Sequence, residues 1–195
     1  MRQADFSRTT NETDIKIFLE LDGSGRSDIK TGCGFLDHML TLFAAHGRFD
    51  LKINCAGDSW VDYHHTVEDV GICLGQAFNK ALGDKKGITR YGNFILPMDE
   101  ALILTAIDFS GRAFLNWDVE ISAQKVGDFD TELAQEFWLG FVRNSFSTLH
   151  FKKFAGTNAH HIIECAFKSA ARSIAQAVKI NPEFKNEIPS TKGLI

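Results

Sequence analysis

Two stretches of this chain carry one pattern, His64-His65-Thr66-Val67-Glu68 and His160-His161-Ile162-Ile163-Glu164, set 96 positions apart. Imidazole nitrogens combined with carboxylate oxygens form a donor set for manganese, iron(II), zinc or nickel. With no cysteine in either stretch, a closed thiolate zinc site is a poor match. On a helix the first histidine and the glutamate share a face, while the second histidine points about 100° round the axis. Each helix thus offers an imidazole and a carboxylate in one direction and another imidazole in a second direction. Two metal centres drawing on both copies are the expectation. A single His-His pair is commonly an incidental polar helix start, but two copies with the same glutamate spacing weigh against that reading.

The elements that must hold these groups show the same repetition. Behind the first motif, Val67, Val70, Leu74, Phe78, Ala81 and Leu82 form an apolar stripe, and 96 positions on stand Ile163, Ala166, Ala170, Ile174, Ala177 and Val178. A stripe of helical period that repeats with its motif indicates an internal duplication, each motif opening a long amphipathic helix. Before the first motif, Ile15, Ile17, Leu19 and Leu21 alternate as a strand, a short strand follows around Ser27 to Thr31, a helix runs to His46-Gly47, and Phe49, Leu51, Ile53 and Cys55 alternate again. In the second half Ala101 to Phe109 reads as a strand covered on both faces, Ala113 to Glu120 as its hairpin partner, Thr131 to Ser147 as a helix and Thr148 to Phe154 as a strand. The expected architecture is α+β: one domain of two similar strand-strand-helix-strand-helix halves, about residues 1–87 and 88–195. Each half is a small mixed sheet with both helices on one face, and the halves pack helix face to helix face.

At 195 residues, 44% hydrophobic and 24% charged, the chain has the composition of a soluble globular protein with a real core. Its net charge of −4 argues against non-specific nucleic-acid binding and leaves room for a local basic pocket. Cys33, Cys55, Cys73 and Cys165 lack metal or redox spacing and read as small buried residues in a reducing compartment. With no leader or spanning stretch in sight, a cytoplasmic, membrane-free protein is expected.

The duplication also points to further ligands. His38 lies 26 positions before His64, and the matching place 24 positions before His160 holds Glu136. His150 is a rival, although the matching place in the first half holds no histidine and so breaks the symmetry. A second set of groups, Arg90, Arg112, Lys168 and Lys192 with Ser190, has the guanidinium, ammonium and hydroxyl functions that hold a phosphate monoester, several of them in glycine-containing turns.

The segments Gly34-Phe-Leu-Asp-His38-Met, Asp62-Tyr-His-His-Thr-Val-Glu-Asp69, Asp108-Phe-Ser-Gly-Arg112, Gly156-Thr-Asn-Ala-His-His-Ile-Ile-Glu164 and Phe167-Lys168 resemble imidazoleglycerol-phosphate dehydratase of histidine biosynthesis, across essentially the whole chain. The resemblance implies dehydration of D-erythro-imidazole glycerol phosphate to imidazole acetol phosphate. It implies two manganese ions per active site, with His38, His64, His65, Glu68, Glu136, His160, His161 and Glu164 as the ligand set, in sites shared between the subunits of a twenty-four-chain homo-oligomer. Many members carry histidine where this chain has Glu136, and glutamate is also a manganese ligand. Arg90, Arg112, Lys168, Ser190 and Lys192, with His46, are implied to bind the phosphate substrate. Glu164 is the expected principal base, with Glu68 and Glu12 as further acid-base groups. A two-metal phosphatase uses similar groups, but it needs a carboxylate bridging closely spaced ions, which two equivalent motifs do not suggest. A module whose ions only join subunits is the non-enzymatic rival.

Overall fold

A computed structural model describes residues 2–195. The first half runs β1 (Gln3–Thr9), β2 (Thr13–Glu20), β3 (Ser27–Lys30), α1 (Gly34–Gly47), β4 (Asp50–Gly57) and α2 (His64–Leu82). The second runs β5 (Tyr91–Met98), β6 (Ala101–Asp108), β7 (Phe114–Asp118), a two-residue ribbon β8 and β9 (Lys125–Val126 and Phe129–Asp130), α3 (Leu133–Ser145), β10 (Thr148–Ala155) and α4 (Ala159–Val178). The first sheet has the order β1-β2-β4-β3 and the second β5-β6-β10-β7, so each strand has a counterpart in the other half. In both sheets the last pair is parallel, β3 with β4 and β7 with β10. A parallel pair needs a crossover, and α1 and α3 supply it.

The alternation in β2 and β4 is borne out: Ile15, Ile17, Leu19, Leu51, Ile53 and Cys55 are buried toward the helices. Three details differ from the expectation. A strand precedes the expected order in each half, β1 and β5. Both are edge strands with much polar or exposed surface, and β5 contains Pro97, which only an edge tolerates readily. The segment from Ala113 does not return as a hairpin on β6, because β5 and β10 take both edges of β6 and β7 lies beyond β10. Finally, β6 is buried on one face and half-covered on the other, so its apolar run reflects a sheet face that is not fully solvated rather than two helix layers.

Helices α1 and α2 lie on the first sheet, α3 and α4 on the second, and the layers meet as α2 against α3 and α1 against α4. The α2–α3 approach depends on glycine. A Cβ built on Gly71 would stand 2.3 Å from the Phe137 carbonyl oxygen, one on Gly75 2.4 Å from that of Phe141, and one on Gly140 2.8 Å from that of Glu68. Trp138 fills the centre, its ring within 5.0–6.1 Å of those of Phe137, Phe141, Phe167, Phe151 and Phe43. The four cysteines are buried free thiols, and burial pushes Cys73 up to about 12, which keeps it a neutral packing group. Among the described residues no helix is long and apolar enough to cross a membrane.

Candidate active site

The second motif opens α4, where the Asn158 side chain accepts the backbone N–H of His160 at 2.9 Å and of His161 at 3.3 Å. This cap fixes where the helix begins, and so where both imidazoles start. His160 and Glu164 then share a face, with His160 Nε2 3.1 Å from Glu164 Oε2. His38, from the first turns of α1 in the other half, brings its Nε2 to 3.3 Å from the same oxygen. The three donor atoms lie within 4.8 Å of one another. Lys168, one turn further along α4, pairs with the other oxygen of Glu164, and the carboxyl group itself is buried. Burial pushes the Glu164 carboxyl up, but Lys168, then His160 and His38, outweigh it and hold the group below the usual carboxylate range.

The first motif opens α2 with the Asp62 carboxylate accepting the His64 N–H at 2.7 Å. His64 Nε2 is 4.0 Å from Glu68 Oε2, a looser pair on a more exposed carboxylate. Glu136 stands in the first turn of α3, the helix that packs along α2 as α1 packs along α4. It is half-buried and occupies the topological place of His38.

The second histidine of each motif points elsewhere, as the helical spacing requires. His65 Nδ1 donates to Asp58 Oδ2 at 2.9 Å, and its Nε2 lies 3.7 Å from Glu12 Oε1. His161 Nδ1 donates to Glu100 Oε2 at 2.8 Å, and its Nε2 lies 3.7 Å from Asp99 Oδ2. The carboxylates raise both imidazoles above the usual histidine range, and the His161 contact, then the Asn158 N–H, brings Glu100 to about 2. Glu12 sits on the β1–β2 turn, which is anchored to α2: Thr13 donates to buried Asp69 at 2.5 Å, and Arg8 pairs with the same carboxylate.

A family model described as imidazoleglycerol-phosphate dehydratase matches residues 31–174. The chain belongs to the imidazoleglycerol-phosphate dehydratase family. Its relatives include the imidazoleglycerol-phosphate dehydratases of Xanthobacter autotrophicus, 54% identical over 100% of this chain and 99% of that protein, and of Prochlorococcus marinus, 51% identical over 100% and 97%. Among solved structures, the imidazoleglycerol-phosphate dehydratase of Staphylococcus aureus matches with a TM-score of 0.84 and 40% identity, covering 92% of this chain and 99% of the other. That of Pyrococcus furiosus matches with a TM-score of 0.85 and 39% identity, covering 97% and 100%. Membership places the chain among the hydro-lyases of histidine biosynthesis.

For an imidazoleglycerol-phosphate dehydratase the cationic residues matter next, and here they fall into two groups. Arg90, Arg112, Ser190 and Lys192 line one cavity of about 500 Å³ between the β6–β7 turn and the C-terminal segment. Arg90 is held there by Asp108, with Nε 2.6 Å from Oδ1, and by the Pro189 carbonyl, which accepts from Nη1 at 2.8 Å. Lys168 does not line this cavity; it stays with Glu164 and Met98. His46 ends α1, and burial, then the nearby Lys168 and Arg172 charges, lowers its pKa. His150 lies on the exposed face of β10, its ring tilted against that of Phe114 with centroids 5.5 Å apart. It is not among the donors gathered around Glu164. Asp58, Asp99 and Glu100 are not among the residues that the sequence singles out. Their signal, a carboxylate in a tight turn, is too common to single out until the fold places each beside a histidine.

Proposed function

We propose that this chain catalyses the manganese-dependent loss of water from D-erythro-imidazole glycerol phosphate, giving imidazole acetol phosphate, at sites completed when copies associate in the cytoplasm. The observation that carries the reading is the convergence of His38, His160 and Glu164, donors from both halves, beside a phosphate-binding type of cation, Lys168. Two imidazole nitrogens facing one carboxylate oxygen fit a divalent ion of borderline hardness, and the same carboxylate would hold it. His64 and Glu68, with Glu136 from α3, are the counterpart set by topological position, although among the described residues only His38, His160 and Glu164 gather within one ligand radius, and His65 and His161 extend the ligands in a second direction. When bound, the two ions supply the Lewis acidity that takes up charge from the substrate's imidazole ring.

The chain's own residues handle proton and phosphate. Glu164 shares its second oxygen with Lys168 and is held below its usual range, so it makes a better ligand than base. Glu12 is about half exposed, meets no Lys or Arg among the described residues, and stands at the Nε2 side of His65. It is the stronger candidate to move the proton. The Arg90, Arg112, Ser190 and Lys192 cavity offers forked and point cations to a phosphate, while Lys168 stands at the metal-type cluster with His46 within reach of its charge. One substrate needs both groups, and association of copies, twenty-four in all, would bring them together.

The direct test is to add manganese and D-erythro-imidazole glycerol phosphate to the metal-stripped protein and follow the ketone product. Product that forms only with metal supports the reading. No product with any divalent ion, or phosphate release instead, would overturn it.

A further inference from the structure

His65 and His161 each have a carboxylate on Nδ1, yet the two carboxylates come from different parts of the fold. In the second half it is Glu100, on the β5–β6 turn, whose other oxygen accepts the N–H groups of Thr157 and Asn158 at 3.2 and 2.8 Å. Asp99, on the Nε2 side of His161, is its immediate neighbour on that turn. In the first half the matching turn contributes only Glu12, on the Nε2 side. The Nδ1 partner is Asp58, the first residue after β4; the first residue after β10 is Gly156. The duplicated frame has thus solved the same orientation problem twice, with different residues.

Asp58 is 7% exposed, and its Oδ2 bonds His65. Its Oδ1 is buried with no hydrogen-bond partner among the described residues. A buried carboxylate oxygen without a donor is a cost to the fold, and the bond to His65 is the side-chain contact that offsets it. What the acid does is accept the Nδ1 proton of His65. This commits the neutral ring to the tautomer whose bare nitrogen is Nε2, and it holds the ring at one angle.

We infer that Asp58 is a positioning residue that presents His65 Nε2 to one of the two manganese ions, with Glu100 doing the same for His161. Because Asp58 takes this task from the β1–β2 turn, Glu12 is left free for the substrate. The inference rests on the metal reading of the preceding section and adds to it a named residue in the shell behind the ligands.

The test titrates manganese by calorimetry into the metal-stripped full-length protein, as wild type, Asp58→Ala and Asp58→Asn, and records the melting temperature of each without metal. The alanine variant is expected to weaken one class of manganese site about 10–100-fold, the usual effect of deleting such a partner. Its metal-free melting temperature should change little, because the loss of the bond to His65 is offset by removal of the unpaired buried Oδ1. The asparagine variant keeps an acceptor oxygen and should recover a large part of the affinity. Unchanged manganese affinity in Asp58→Ala would overturn the inference, as would a loss matched by a lower metal-free melting temperature and not recovered by asparagine. A wild-type protein that takes up no manganese would instead defeat the metal reading itself, and the inference with it.

Discussion

The two halves share a sheet order, a crossover and a helix motif, but their glutamates are treated differently. Glu164 is buried, paired with Lys168 one turn on, and met by His38 and His160. Glu68 is more exposed, sits 4.0 Å from His64, and has Ile72 where a matching lysine would stand. The outer sheet faces diverge as well. The first carries Lys16, Lys30, Lys52 and Asp28, whereas the second exposes Tyr91, Ile95, Phe114 and Phe154. Duplication preserves what the apolar stripe and backbone pairing enforce. Polar positions, which the fold tolerates in several forms, are where the halves have specialised.

The most severe way to test the equivalence of the halves is to remove metal from both together. If ions are shared between copies, a chelator should convert a large particle into small oligomers, and size-exclusion chromatography with and without manganese reads this directly. A particle of constant size would confine the ions to single chains.

The next contrast sets Glu12 against Asp99, which stand at the same 3.7 Å from the Nε2 of their histidines. Glu12→Gln should lower turnover about 10²–10⁴-fold while metal content holds, the range for a lost acid-base group. Asp99→Asn should cost less than about tenfold, since its turn is fixed through Glu100. Equal losses in steady-state kinetics would erase the proposed specialisation.

A smaller effect separates the helix contacts. Gly75 of α2 matches Ala171 of α4 in the motif alignment, yet only Gly75 has a carbonyl 2.4 Å from where its Cβ would be. Gly75→Ala is expected to destabilise the fold by about 1–3 kcal/mol by overpacking, despite being the residue that α4 already carries. Denaturant unfolding measures it.

The smallest effect belongs to the start of β4, where Asp50 stands in place of Thr148 of β10. Its Oδ1 accepts the N–H groups of Ser24, Gly25 and Arg26 at 2.7–3.0 Å, and Oδ2 accepts the Arg26 guanidinium. The Arg26 bond holds the carboxyl well below its ordinary value of 3.8. A group depressed in the folded state adds stability at pH values above its unfolded pKa, and loses it as the pH falls through the folded one. Asp50→Asn should therefore cost about 1–2 kcal/mol at neutral pH, with the difference from wild type shrinking below about pH 4. Paired urea titrations at the two pH values would show this, and a pH-independent gap would contradict it.

How much of this was legible in the chain depends on the range of the interaction. The repeated motif, the apolar stripe behind it and the strands β2 and β4 follow from periodicities of a few residues. The pairing of His160 with Glu164, and of Glu164 with Lys168, is likewise written in their i, i+4 spacing. Even the family is carried by short segments. What tertiary structure alone decided is which distant groups meet. Strand periodicity does not name a partner, so β7 was placed on the wrong neighbour, and the edge strands β1 and β5 have too weak an apolar signal to stand out. The meeting of His38 with an oxygen on α4 depends on two helix layers packing across the halves. The roles of Asp58 and Glu100 depend on a loop and a turn arriving beside a histidine from opposite ends of different strands. Local spacing specifies what a residue presents, and only the packed chain specifies what it is presented to.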